Sequence, residues 1–125
     1  MILGLGIDLV ELARIRQALD KFGERFLKRV LRPGEIAYCQ SHRDPVPFVG
    51  GRFAAKEAVS KAFGTGIGRQ LGWLDIEVCR HETGQPYVVL HEDGLRLLEQ
   101  RGGVRIHLSI SHTDHHATAV AIIES

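Results

Sequence analysis

Glu57 and Lys61 lie four residues apart within the run Arg52-Phe53-Ala54-Ala55-Lys56-Glu57-Ala58-Val59-Ser60-Lys61. On a helix that spacing sets a carboxylate and an ammonium one turn apart on a single face. Such a pair either bridges in solvent, contributing about 0.2–0.5 kcal/mol, or presents both charges to a ligand. At about 100° per residue, Gly50 and Ala54 share that side and leave room beside the charges. A surface ion pair has no use for room, whereas a ligand seat needs both. Two more groups could join them. Asp8 interrupts the apolar run from Ile2 to Val10, and a carboxylate there is costly to bury unless paired, hydrogen-bonded or holding a metal. Its plainer role would be to cap the helix that follows. His112, in Ser109-Ile110-Ser111-His112-Thr113-Asp114, could hydrogen-bond a phosphate or take a proton near neutral pH, or simply belong to a turn.

Two carboxylates cannot fill a Mg²⁺ shell, but they are the usual number where water and phosphate oxygens supply the remaining ligands. Lys61 would neutralise charge on the same phosphates. The residues thus hint at a metal-dependent phosphate site. A zinc site built from His107, His112, His115 and His116 fits poorly, because neither cysteine is near and the spacings match no common structural pattern. The glycines of Gly64-Thr65-Gly66-Ile67-Gly68 follow a helix instead of joining a strand to one, so they read as cap and turn and not as a phosphate loop.

The elements that must position these groups are legible from periodicity. Ala55, Ala58, Val59, Ala62 and Phe63 recur at helical spacing, which predicts a long central helix. It would start near Pro47 with Asp44 as a cap and stop at Gly64. Residues 2–10 read as a strand covered on both faces. Leu12 to Phe22, Phe26 to Leu31 and residues 35–42 read as three short helices. Trp73–Cys79 and Tyr87–Leu90 alternate as a hairpin around Thr83-Gly84-Gln85-Pro86, followed by a helix from Asp93 to Arg101. Val104–Ser111 and Ala117–Ile123 make a second antiparallel hairpin. The order implies one α+β domain over residues 1–125, a mainly antiparallel sheet packed against the central helix.

Length and composition bound the rest. With 125 residues, 44% hydrophobic and 25% charged, the chain has the balance of a single soluble domain. No stretch approaches the roughly 18 apolar residues of a membrane span, and the N-terminus lacks the basic region of a signal peptide. Cys39 and Cys79 lack CxxC spacing and read as free thiols in a reducing compartment, which predicts a cytoplasmic protein. Net charge is only +1 overall. Between Arg14 and Arg32, however, seven basic residues face only Asp20 and Glu24, a local +5. Such a stretch attracts an acidic partner.

Gly6-Ile7-Asp8-Leu9-Val10-Glu11, the run Arg52–Lys61, Gly64–Gly68 and Ser109–Thr113 together resemble the holo-[acyl-carrier-protein] synthases, the short members of the 4′-phosphopantetheinyl transferase superfamily. The likeness covers essentially the whole chain, loosely over 32–46 and 80–103. It implies transfer of the phosphopantetheine arm of coenzyme A to a serine of apo acyl carrier protein, with release of 3′,5′-ADP. Asp8 and Glu57 would match the Mg²⁺ ligands, and Lys61 would stabilise charge on the phosphates. Arg52, Lys56, Gly84-Gln85-Pro86 and His112-Thr113 would line the coenzyme A cleft. Glu57, Asp8 and a water on the metal are all open as acceptors of the serine proton. The resemblance further implies a homotrimer with active sites between subunits. Arg14 and Arg25 lead the candidates for docking the acidic carrier, with neither nucleic acid nor membrane as partner. Two other classes compete with the transferase: a module binding nucleic acid or an acidic protein through the basic stretch, and a Mg²⁺-dependent nucleotide diphosphate hydrolase.

Overall fold

The computed structural model describes residues 1–125. Strand β1 (Ile2–Glu11) leads into helices α1 (Leu12–Phe22), α2 (Glu24–Val30) and α3 (Pro33–Gln40), then the long helix α4 (Val46–Phe63). The hairpin β2 (Ile76–Arg80) and β3 (Pro86–Leu90) follows, then α5 (Asp93–Gln100), β4 (Arg105–His112) and β5 (His116–Glu124). β5 runs between β1 and β4 in an antiparallel sheet of order β1-β5-β4, with β2-β3 as a separate ribbon. The α+β architecture expected from the sequence is the one observed.

α4 is the axis of the domain. Asp44 caps its start by accepting the Val46 N–H at 3.1 Å, and Pro47 occupies the second helical position. Gly64 ends it in the left-handed region at φ 79°, where a side chain would be strained. The helix is buried on nearly every side, with Val49, Gly50, Ala54, Ala55, Ala58, Val59, Ala62 and Phe63 all in the core. A helix covered on nearly every side lies inside the protein, and the buried residues here include the charged Arg52 and Lys56. Burying Phe63 alone stabilises the fold by about 2–3 kcal/mol.

That burial corrects one expectation. The room predicted beside Gly50 and Ala54 is not there. A β-carbon on Gly50 would come within 2.5 Å of Leu12 Cδ2, so α1 takes the space. The same economy operates on β1. β-carbons on Gly4 and Gly6 would lie 2.0 and 1.9 Å from the carbonyl oxygens of Ala62 and Ala58. Strand and helix therefore meet backbone to backbone, and only glycine permits it.

β1 also departs from expectation in its cover. Its helix-facing side (Gly4, Gly6, Asp8, Val10) lies against α4, but Leu5, Ile7 and Leu9 on the other side are 64–66% exposed. β5 repeats the alternation, with Ala117, Ala119, Ala121 and Ile123 buried and Val120 and Ile122 half-exposed on the outer face. Trp73–Asp75 closes as a 3₁₀ turn before β2, whereas its alternation suggested strand. The Asp75 carboxylate accepts the Gly72 N–H at 2.8 Å, a local bond that competes with sheet pairing.

Candidate active site

The glycine contacts of β1 bring Asp8, two residues after Gly6 on the same face, against the exposed edge of α4. Asp8 sits inside the strand, three residues before its end, and caps no helix: Glu11 holds the start of α1 without a side-chain cap. Lys61 reaches across from α4 and donates to Asp8 Oδ1 at 2.9 Å and to the Ile7 carbonyl at 3.1 Å. The i, i+4 partner Glu57 does not form this bridge. Glu57 is half-buried, and burial first, then the neighbouring Asp8 charge, pushes its carboxyl above the usual range, with Lys61 partly opposing. Asp8, Glu57 and Lys61 line one cleft of about 400 Å³ with Glu11, Arg14 and Phe53.

This donor set suits a hard divalent cation. Asp8 and Glu57 bring two carboxylates against the one Lys61 ammonium, and burial first, then Asp8, holds the Glu57 carboxyl above the usual range. Glu11 and His116 also line the cleft but form no group with them that could enclose an ion, so an ion there would take its remaining ligands from water or phosphate oxygens.

The other predicted residues lie elsewhere. Arg52 is 3% exposed, with its guanidinium 4.2 Å over the Tyr38 ring and its buried Nε without a hydrogen-bond partner. An unsatisfied buried N–H is costly and marks a place where an outside acceptor would be welcome. Arg80 also covers Tyr38, at 5.4 Å, and donates to the Gly84 carbonyl at 2.6 Å, which ties Gly84-Gln85-Pro86 to the same neighbourhood. His112 packs edge-on against Phe48 at 5.7 Å, and Phe48 in turn meets Tyr38 at 6.0 Å. The Thr113 hydroxyl accepts the His116 N–H at 3.1 Å and holds the β4–β5 turn. A basic, aromatic locus thus gathers Arg52, Arg80 and His112 apart from the Asp8 cleft.

Lys56 requires correction. It is fully buried, with its Nζ 2.7 Å from Glu35 Oε1, so it lines no cleft on this chain.

The basic stretch is also less uniform than its composition suggested. Arg16 pairs with Asp44, Lys28 with Glu24 and Arg32 with Glu77. Arg14, Lys21, Arg25 and Arg29 have no carboxylate partner and are exposed. Arg25 and Arg29 flank Phe22 and Phe26 around a small depression of about 200 Å³. Sequence reasoning missed Phe53, Tyr38, Phe48, Arg80 and Glu35. Aromatic faces and buried charge partners arise from long-range contacts and leave no local spacing to read.

Comparisons with known proteins give a consistent result. A family model described as the 4′-phosphopantetheinyl transferase superfamily matches residues 4–121. The chain is 48% identical over 124 residues to the holo-[acyl-carrier-protein] synthase of Koribacter versatilis, covering 99% of each chain. Among solved structures, the holo-[acyl-carrier-protein] synthase of Neisseria meningitidis superposes with a TM-score of 0.93 at 35% identity, covering both chains fully. The Helicobacter pylori enzyme, solved in complex with coenzyme A, gives 0.87 at 35% identity, covering 96% of this chain and 99% of that one.

Proposed function

This chain belongs to the 4′-phosphopantetheinyl transferase superfamily, among its holo-[acyl-carrier-protein] synthases, and we propose that it moves the 4′-phosphopantetheine arm of coenzyme A to a serine of apo acyl carrier protein, releasing 3′,5′-ADP. The observation that carries the reading is the convergence of Asp8, Glu57, Lys61 and Arg14 on one open cleft. A binding module would use the unpaired arginines but has no use for two carboxylates facing a lysine. A hydrolase would share the carboxylates and the lysine, but gives the basic helices α1 and α2 nothing to do.

In this reading the serine oxygen attacks the β-phosphorus of coenzyme A, the bond to the bridging oxygen breaks, and that oxygen leaves with 3′,5′-ADP. Asp8 and Glu57 would hold Mg²⁺, which supplies charge neutralisation on the pyrophosphate. Lys61, half-exposed at the mouth of the cleft, would exchange its Asp8 contact for the developing charge on the phosphate oxygens. Glu57, Asp8 or a water on the metal would accept the serine proton. Arg52, His112-Thr113 and the turn Gly84-Gln85-Pro86 would receive the nucleotide end of coenzyme A. The unpaired Arg52 Nε and the aromatic setting around it support that assignment.

The nucleotide-end residues and the Asp8 cleft do not share one cavity on a single chain, and Leu5, Ile7 and Leu9 leave an apolar sheet face open. Both facts support a homotrimer that covers this face and completes each site from two subunits. Arg14 and Arg25, free of acidic partners, would dock the acidic carrier. The setting would be cytoplasmic; no helix here is long and apolar enough to cross a membrane.

The test is the intact mass of apo acyl carrier protein after incubation with the enzyme, coenzyme A and Mg²⁺. A gain of one phosphopantetheine, lost in EDTA, is expected. No gain with several carriers would sink the reading. Release of 3′,5′-ADP without any carrier would favour the hydrolase.

A further inference from the structure

Lys56 and Glu35 form a buried charged pair outside the cleft, and every bond they make reaches a different segment. Lys56 Nζ donates to Glu35 Oε1 at 2.7 Å, to the Val30 carbonyl at the end of α2 at 2.7 Å, and to the Trp73 carbonyl at 3.1 Å. All three ammonium protons are thereby used. Glu35 Oε1 also accepts the Arg32 N–H at 2.8 Å, and Oε2 accepts the Val78 N–H of β2 at 3.0 Å. Glu35 is 2% exposed and Lys56 not at all. One ion pair therefore joins the end of α2, the start of α3, α4, the 3₁₀ turn and β2.

A buried pair of this kind is weak evidence for stability, since well-packed apolar residues often serve as well. What it does specify is an arrangement. Phe53, one turn before Lys56, packs against Phe26 of α2 at 6.4 Å and Trp73 at 4.8 Å, and also lines the Asp8–Glu57 cleft. Phe26 borders the depression that holds Arg25 and Arg29. α2 thus meets α4 through Phe53 and Lys56: Phe26 shares its depression with Arg25, and its stacking partner Phe53 shares the cleft with Glu57.

We infer that Lys56, through Glu35, is a positioning residue that fixes α2 against α4, so that a carrier protein seated on Arg25 presents its serine at Glu57. The inference rests on the carrier-docking reading above. Its consequence is a split: loss of the pair weakens engagement of the carrier and leaves engagement of coenzyme A alone.

The experiment compares wild type, Lys56→Met, Lys56→Met/Glu35→Gln and Arg25→Glu, with KM measured separately for carrier and for coenzyme A. The double variant removes the stranded charge and keeps one acceptor for a backbone N–H. It should raise the carrier KM by roughly ten- to a hundredfold, the scale on which remote misplacement acts, with the coenzyme A KM within about twofold and faster amide exchange in 24–30 than in β5. A brace that only stabilises the fold would lower the active fraction, hence apparent kcat, with both KM values unchanged; that result overturns the inference. So does a double variant that fails to fold, which would make the pair a folding requirement, or one that raises both KM values equally. An Arg25→Glu enzyme with an unaltered carrier KM would instead remove the docking reading, and the positioning role with it.

Discussion

Lys56 and Lys61 stand five residues apart on one helix and live in opposite conditions. Lys56 is fully buried, has three acceptors within 3.1 Å, and faces a carboxylate whose two oxygens are both committed. Lys61 is half-exposed, with its side chain at 49%, and its Asp8 partner keeps one oxygen uncommitted. Glu57, next to Lys56 in sequence, makes no ion pair, and burial first, then the Asp8 charge, holds its carboxyl above the usual range. Complete satisfaction of charge makes a frame, because any change leaves a buried group unpaired. Incomplete satisfaction makes a site, because an incoming ligand improves it. The same helix carries both, and the α4–β1 contact through Gly4 and Gly6 holds the second against the first.

The sharpest break of this contrast is Glu57→Ala. Removing one of the two carboxylates proposed to hold the metal should cost turnover about 1,000-fold or more, the scale of losing a preorganised electrostatic contact. Glu57 is only half-buried and makes no ion pair, so the melting temperature should stay within a few degrees of wild type. The mass assay and a thermal melt read the two quantities. A folded Glu57→Ala protein with normal turnover would place the chemistry elsewhere.

Lys56→Met should behave in the reverse sense. It strands the Glu35 carboxylate in the core and should destabilise the fold by about 3–5 kcal/mol. Adding Glu35→Gln should recover part of that loss. Urea midpoints for the two variants check this, and equal stability of wild type and Lys56→Met would mean that water reaches Glu35 and the frame is open.

A third probe lies beside the frame. Burial pushes the Cys39 thiol from 9.0 up to about 11, Arg52 opposes this, and the Glu35 charge adds to it. A raised folded-state value means the native state holds the proton more tightly than the unfolded chain. That contribution is complete below pH 9 and is lost as pH rises towards 11. It amounts to at most about 2–3 kcal/mol. Urea titrations at pH 8, 9.5 and 10.5 should show the loss, and Cys39→Ala should flatten that part of the profile. An unchanged pH dependence in Cys39→Ala would show that the thiol lies outside the frame.

Most of the architecture could be read from periodicity: α5 and β5 bury one face and β4 half-buries one at its own repeat, and α4 carries its apolar stripe at helical spacing. Asp8, Glu57 and Lys61 could be singled out because charges in apolar or small-residue settings demand a reason. What escaped reading depends on contacts distant in sequence. Gly50 signals space but not who fills it, and Leu12 does. Gly4 and Gly6 alternate on one strand face, a spacing that could have signalled close approach to another backbone. The odd-numbered residues of β1 look like core until a single chain is seen to leave them bare. The family resemblance set Lys56 at the coenzyme A cleft, yet a step of about 100° along the helix from Glu57 puts it in the core.

The smallest expected effect bears most directly on the contrast between the two lysines. Lys61→Gln removes a partly solvent-screened ion pair, and such pairs contribute only about 0.2–1 kcal/mol. Stability should therefore fall by no more than that, several times less than for Lys56→Met. Turnover should nevertheless fall roughly tenfold or more, since the ammonium faces the cleft where phosphate charge would develop. Raising ionic strength separates the causes further, because salt screens an exposed charge far more than a buried one. The stability difference between wild type and Lys61→Gln should shrink towards zero at 1 M salt, while that of Lys56→Met should persist. If both lysines instead lost equal stability and both losses vanished in salt, frame and site would share one environment, and the division between them would fail.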